Sequence, residues 1–222
     1  MQVARTRVED RFGGARRRLV ERLAANGIRD ARVLEAISSV PRHLLIADAL
    51  SHQAYEDAAI PIGEGQTISA PGIVAAMTEA LELTGEETVL EIGTGSAYQA
   101  AILARLVARV ISVERIPALA TRARTALDRL GVQNVVVYLG DGTRGRPADG
   151  PFEAIVVTAG GSDVPAPLLE QLAPGGRLVG PFGARSAQTL VRVRRARDGS
   201  FAREELGACR FVDLIGEHGF RA

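Results

Sequence analysis

The chain has no tryptophan, no lysine and a single cysteine among its 222 residues. One thiol, Cys209, cannot form an intramolecular disulfide, and nothing near it offers the ligand spacing of a metal site. Its default role is that of a small buried hydrophobe, and no metal is expected. All 27 basic residues are therefore arginine. With alanine and glycine abundant, we read this as a coding bias of a GC-rich genome rather than a choice of guanidinium chemistry. The formal charge is only +1, so neither nucleic acid nor a membrane surface is an expected partner. The triplet Arg16, Arg17, Arg18 is flanked by Glu9, Asp10 and Glu21 and is expected to be a solvated helix face. No apolar run approaches the length of a membrane span, and the charged start lacks the apolar core of a secretory signal. Acids interrupt its arginines, which sets aside an organellar transit peptide, and the expected location is the cytosol.

What is present is concentrated in VLEIGTGSAYQAA, Val89 to Ala101. A short apolar run ends in an acid, opens into a glycine-rich turn and continues in helix formers, so strand, loop and helix N-terminus follow in order. Gly93 and Gly95 remove Cβ atoms that would hold a ligand off the backbone, and the amides opening the next helix can donate to it. A dinucleotide turn needs G-x-G-x-x-G, yet counting from Gly93 the third small position falls on Tyr98. The pattern acid-x-G-x-G-x-small fits Glu91, Gly93, Gly95 and Ala97, which favours S-adenosylmethionine over a nicotinamide. A second apolar run, Val110 to Val113, ends in Glu114, about 20 residues beyond the glycines, where doubly wound folds place the acid that holds ribose hydroxyls. A third, Val135 to Leu139, ends in Gly140, Asp141 and Gly142. Three strands thus bring polar groups to one sheet edge, the edge at which open α/β sheets bind ligands.

With nearly half its residues apolar, the chain can bury a sizeable core, and it is expected to form a single domain. Residues 1–50 form its N-terminal helical segment, with helix from Arg16 to Ser39 broken at Asn26 and Gly27. Residues 51–71, crowded with Pro61, Gly63, Gly65 and Pro71, are expected to be an ordered active-site loop. Residues 72–222 form the cofactor-binding core. It opens with a helix from Gly72 to Leu83, and helices at about Ser96 to Val107 and Pro117 to Leu130 each follow a strand. Beyond a run at Ala154 to Val157 and a helix at Pro165 to Leu172, β-rich runs lie near Arg177 to Gly180, Thr189 to Val193 and Cys209 to Leu214. Alternating strand and helix predicts a mostly parallel, doubly wound α/β sheet closed by antiparallel strands.

From Val40 to Gly216 the chain resembles the protein-L-isoaspartate O-methyltransferase family. The resemblance rests on VPRHL (Val40 to Leu44), AYEDAAIPIGEGQTISAP (Ala54 to Pro71), the glycine motif, GDG (Gly140 to Gly142), PFEAIVVTA (Pro151 to Ala159) and QLAPGGRLVGPFG (Gln171 to Gly183). The pairing of YED with GQTIS is its most specific element. It implies a seven-stranded methyltransferase fold, S-adenosylmethionine as donor, and the isoaspartyl carboxylate of damaged protein as acceptor, with a monomer expected. It implies Ser69 as the active-site hydroxyl, with Thr67, Gly95, Ser96, Glu114, Asp141 and Gly142 around the cofactor, joining Glu91 and Gly93 of the glycine motif. From the residues alone, Ser69 reads as a helix N-cap before Ala70 and Pro71. Transfer to an ionised carboxylate needs no strong general base, so His43, His52 and His218 are expected in surface or packing roles. The alternatives are a same-fold methyltransferase acting on RNA or a small molecule, and a noncatalytic cofactor-binding module. Two positions depart from the family: Ala97 replaces the usual glycine and Asp213 the usual proline. A functional cofactor site is expected despite Ala97: its extra methyl is absorbed if φ there is negative and is strained by roughly 1 kcal/mol or more if φ is positive.

Overall fold

The computed structural model describes residues 3–221, with side chains from residue 11 onward, so Glu9 and Asp10 lie outside the described side chains. Two helices, α1 (Val3–Ala25) and α2 (Ala31–Ser39), open the chain. Asp30 caps α2, its side chain accepting from the Arg32 amide. Leu19 and Leu23 of α1 and Val33 and Ile37 of α2 are buried in one cluster with residues that follow the glycine motif. The helical segment therefore shares its core with one face of the sheet. Arg16 departs from the expected solvated face: it is half-buried and donates to the Ser38 carbonyl at 3.1 Å.

Short 3-10 turns at Arg42–Leu45 and Asp48–Gln53 lead to a hairpin of β1 (Ile60–Gly63) and β2 (Gln66–Ile68). This segment was expected to be a loop. Its two-residue turn, Glu64 and Gly65, has φ of 55° and 67°, the doubly left-handed turn that matches strand twist. Because Glu rather than Asn precedes the glycine, the usual hairpin signature is absent.

Helix α3 (Pro71–Ala80) then leads into the main sheet. Its strands and helices follow in turn as β3 (Thr88–Ile92), α4 (Tyr98–Leu103), β4 (Arg109–Glu114), α5 (Pro117–Arg129) and β5 (Val135–Leu139). After them come β6 (Phe152–Val157), α6 (Ala166–Glu170), β7 (Leu172–Ala184), β8 (Ala187–Arg195) and β9 (Phe201–Cys209). The spatial order is β5-β4-β3-β6-β7-β8-β9. The pairs from β5 through β7 are parallel, and β7-β8 and β8-β9 are antiparallel. The central strands are apolar and buried on both faces, as a sheet covered by helices requires. After β5 the chain crosses back to the far side of β3, so the order reverses beside β3, and loops from β3 and β4 open a crevice there.

One expected strand is misplaced in the sequence reading. The last β-rich run was set at Cys209 to Leu214, whereas β9 occupies Phe201–Cys209 and residues 212–215 lie against other elements. β9 is an exposed edge strand with charged Arg203, Glu204 and Glu205, so it carries no apolar signal, and those charges protect the edge from pairing.

Candidate active site

The glycine turn is shaped by backbone sign. Gly93 and Gly95 have φ of 96° and 53°, and a Cβ on Gly93 would stand 2.5 Å from the Thr158 hydroxyl, which donates to the Ile92 and Gly93 carbonyls. Ala97 follows at φ 67°, ψ 15°, fully buried. Of the two cases left open by the sequence, the strained one holds: Ala97 has the left-handed conformation that favours glycine.

These residues wall a cleft at the carboxyl edge of the sheet, with about 830 Å³ of space, open mouth included. Of the residues singled out from sequence, Thr67, Ser69, Gly93, Gly95, Ser96, Glu114 and Gly142 line it. Glu114 is 5% exposed; its carboxylate accepts from the Gly95 amide at 2.8 Å and from the Ile116 amide at 2.9 Å. Each oxygen keeps a lone pair for a further donor. Gly142 is glycine for packing, because a Cβ there would lie 2.5 Å from Ile92 Cγ2.

Glu91 and Asp141 do not line the cleft, against expectation. Glu91 is wholly buried beneath the turn, where Ser112 Oγ donates to it and in turn bonds Thr94 Oγ1. Burial, reinforced by nearby Glu114, pushes its pKa up to about 8, so it is a neutral prop of the turn at pH 7. Asp141 faces the C-terminal segment, accepting from the amides of Thr143 and Glu217 and from the Thr143 hydroxyl. Burial opposes ionisation there, but these donors and Arg144 outweigh it and hold its pKa below the usual carboxylate value. An acid two residues before a threonine is a local turn pattern, and that competing role was legible.

Ser69 follows the hairpin directly. The N-cap of α3 is Ala70, and the Ser69 hydroxyl makes no capping bond, which removes the capping role. The end of α3 is instead held by Asp57 of the YED motif, whose Oδ1 accepts from the Gly72 amide at 2.6 Å. A Cβ at Gly72 would meet Asp57 Oδ2 at 2.6 Å, so glycine is needed for that approach. Arg42, fully buried, donates to the carbonyls of Ala54, Ala58 and Ser69 at 2.6, 2.9 and 3.0 Å. Sequence reasoning passed over both charges, although VPRHL and YED were noticed as blocks.

Gln99 was missed as well. Its Nε2 donates to Thr78 Oγ1 at 2.9 Å, while its buried Oε1, on a side chain lining the cleft, has no partner among the described residues. A ligand donor would satisfy it. The far wall comes from Phe211 to Ile215, anchored by Gly160 amide and carbonyl bonds to Val212 and Leu214. Asp213, at the position where proline is usual, pairs with Arg185 at 2.8 Å. None of the three histidines lines the cleft; His43 is buried, bonded to the Tyr55 hydroxyl at 2.7 Å and stacked on Phe12.

A seven-stranded sheet of this order, with a glycine turn after its central strand and a buried acid at the end of the next, defines the S-adenosylmethionine-dependent methyltransferase class. Residues 15–219 match the family model described as protein-L-isoaspartate(D-aspartate) O-methyltransferase. The chain is 56% identical over 207 residues to protein-L-isoaspartate O-methyltransferase 2 of Geotalea uraniireducens, covering 93% of this chain and 95% of that one. It is 52% identical over 207 residues to the Methanoculleus marisnigri protein-L-isoaspartate O-methyltransferase, covering 93% and 94%. A solved protein-L-isoaspartate O-methyltransferase superposes with TM-score 0.82 at 30% identity, covering 92% of this chain and 67% of the other. A Plasmodium falciparum structure described as this enzyme type, in complex with S-adenosyl-L-homocysteine, gives TM-score 0.77 at 25% identity, covering 89% and 96%. The chain belongs to the protein-L-isoaspartate O-methyltransferase family.

Among the described residues, no helix is long and apolar enough to cross a membrane, and no group of three or more His, Cys, Asp or Glu is placed to hold a metal.

Proposed function

We propose that this chain transfers a methyl group from S-adenosylmethionine to the side-chain carboxylate of L-isoaspartyl residues in damaged proteins and peptides, initiating their repair. The observation that carries this is one cleft holding both an uncommitted serine hydroxyl and a buried acceptor-only carboxylate. When bound, S-adenosylmethionine supplies an electrophilic methyl on a positively charged sulfur, which leaves as a neutral thioether. The donor set fits such a group: Glu114 retains lone pairs for ribose hydroxyls, and the orphaned Gln99 Oε1 suits an ammonium donor. Gly93, Gly95, Ser96 and Gly142 line the same cleft and would border the bound group.

The acceptor carboxylate, with a pKa of about 4, is already ionised at neutral pH, so no base is needed to activate it. Ser69 would donate to one oxygen of the acceptor carboxylate and leave the other free to face the donor methyl. Ile68, Val74, Met77 and Leu214 supply apolar walls that exclude competing water. Thr67 lines the same cleft. We take the chain to act as one domain, as a monomer and in the cytoplasm; the charged edge strand β9 favours the monomer.

Labelled methyl transfer to paired peptides carrying isoaspartate or normal aspartate tests the reading. Labelling of the isoaspartyl peptide alone is expected. Equal labelling of both, or none despite cofactor binding, would return the chain to another acceptor or to a noncatalytic role.

A further inference from the structure

The β1-β2 hairpin sits over the glycine turn, with Ile62 Cδ1 3.7 Å from where a Gly95 Cβ would stand. On the β2 side lies the cleft just described. On the β1 side lies a second cavity, with about 1140 Å³ of space by the same measure, between residues 44–47 and one face of α5. The two share Gly95, Ser96 and Leu119, so they meet at the turn.

The walls of this cavity are chemically one-sided. Leu44, Leu45, Pro61 and Ile62 make it apolar, Arg122 and Arg129 make it basic, and no acid lines it. The two arginines are seven residues apart on α5, two turns along the same face. Neither has a carboxylate partner among the described residues. Leu44 at the rim is 47% exposed and adds apolar surface at the mouth of the cavity.

We propose that this cavity is a docking subsite for the polypeptide flanking the isoaspartyl residue, and that it takes a segment carrying one apolar and one acidic side chain. The proposal rests on the reaction proposed above. An acceptor that is one residue of a longer chain must leave the cleft along adjoining surface, and this cavity adjoins it with uncompensated positive charge. Exposed guanidinium groups act through screened attraction, so the effect belongs in substrate affinity and is modest per charge.

Methylation kinetics on isoaspartyl peptides matched in length, with Glu, Ala or Lys neighbouring the isoaspartate on either side, test this. The wild-type protein is expected to show a KM about fivefold lower for the Glu than for the Lys series. The double reversal Arg122→Glu/Arg129→Glu is expected to invert that order; both positions are exposed, so the fold should persist, and a thermal midpoint checks it. The same KM for Glu and Lys series in wild type and variant would refute the subsite while leaving isoaspartyl methylation intact. No methylation of any isoaspartyl peptide would remove the reaction on which the subsite rests. Weakened cofactor binding in the variant would assign the cavity to S-adenosylmethionine, and self-association abolished by the reversal would assign it to a second copy; either overturns the proposal.

Discussion

Replacing Ala97 by glycine sets three effects of similar size against one another. At φ 67° the Ala97 Cβ crowds its own carbonyl side, which costs an L-residue about 1–2 kcal/mol and costs glycine almost nothing. Against that relief stands the lost burial of a fully enclosed methyl, about 0.8 kcal/mol. The extra freedom of glycine in the unfolded chain costs a further 0.4–1 kcal/mol, roughly. The sum lies within about 1 kcal/mol of zero, so Ala97→Gly is expected to move the thermal midpoint by less than about 4 °C. Because the strain is present with and without cofactor, the dissociation constant measured by calorimetry is expected within about threefold of wild type. Ala97→Val keeps the unfavourable φ, adds β-branching and overfills a site with no free surface, for a loss of about 3 kcal/mol or more. Urea unfolding of the three proteins decides the matter. A loss above about 1.2 kcal/mol in the glycine variant, which is what remains when glycine relieves no strain, or a neutral valine variant, would show that the left-handed conformation is not the one in solution.

Four further outcomes follow from the same geometry. Glu114→Ala removes the carboxylate proposed to accept from the ribose and strands the amides of Gly95 and Ile116, so cofactor affinity should fall by roughly a hundredfold or more in calorimetric titration; an unchanged value would take Glu114 out of the site. Ser69→Ala should lower turnover on isoaspartyl peptide while leaving cofactor affinity and stability near wild type, since Ser69 caps nothing, and undiminished turnover would discard its catalytic role. Asp57→Ala should cost about 1 kcal/mol through loss of the α3 end contact and reduce turnover without weakening cofactor binding, read by parallel unfolding and initial-rate measurements. Glu91 has a folded pKa near 8, above its unfolded value near 4.5, so the folded state holds the extra proton between them and stability falls as pH rises through that window, by up to about 1.4 kcal/mol per pH unit. Glu91→Gln should flatten that decline in urea midpoints taken from pH 5 to 8, and an identical slope would reject the assignment.

Much of the sheet was legible because buried parallel strands are written as apolar runs: Val135 to Leu139 matches β5 residue for residue, and Val110 to Val113 falls within β4. Strand β9 was illegible because an exposed antiparallel edge needs no apolar residues, only a partner. At the site, Gly93, Gly95 and Glu114 were legible because spacing alone dictates that they meet at one edge. Glu91 and Asp141 fall outside the cleft lining for a shared reason. An acid at a strand end reads the same whether it faces a ligand or a neighbouring backbone, and only tertiary contacts decide. Arg42 and Asp57 stayed hidden because their partners are backbone groups 12 to 27 residues away, which leave no trace in local pattern.

Those two hidden charges explain why Ser69 is available at all. A serine before Ala-Pro at a helix start ordinarily turns its hydroxyl onto the first free amides, and a hydroxyl so used is not free to donate to a substrate. Here Asp57 has taken the Gly72 amide, with a full negative charge at the positive end of α3, which outcompetes a neutral hydroxyl. On the other side of the residue, Arg42 holds the Ser69 carbonyl while bridging to Ala54 and Ala58, which fixes the backbone that carries the side chain. A buried guanidinium without a carboxylate partner costs stability, and its three carbonyl bonds offset that only in part, with Nε still unpaired. On the function proposed above, the arrangement spends stability on the placement of one hydroxyl, as expected where binding energy must fix an oxygen, a carbon and a sulfur in line.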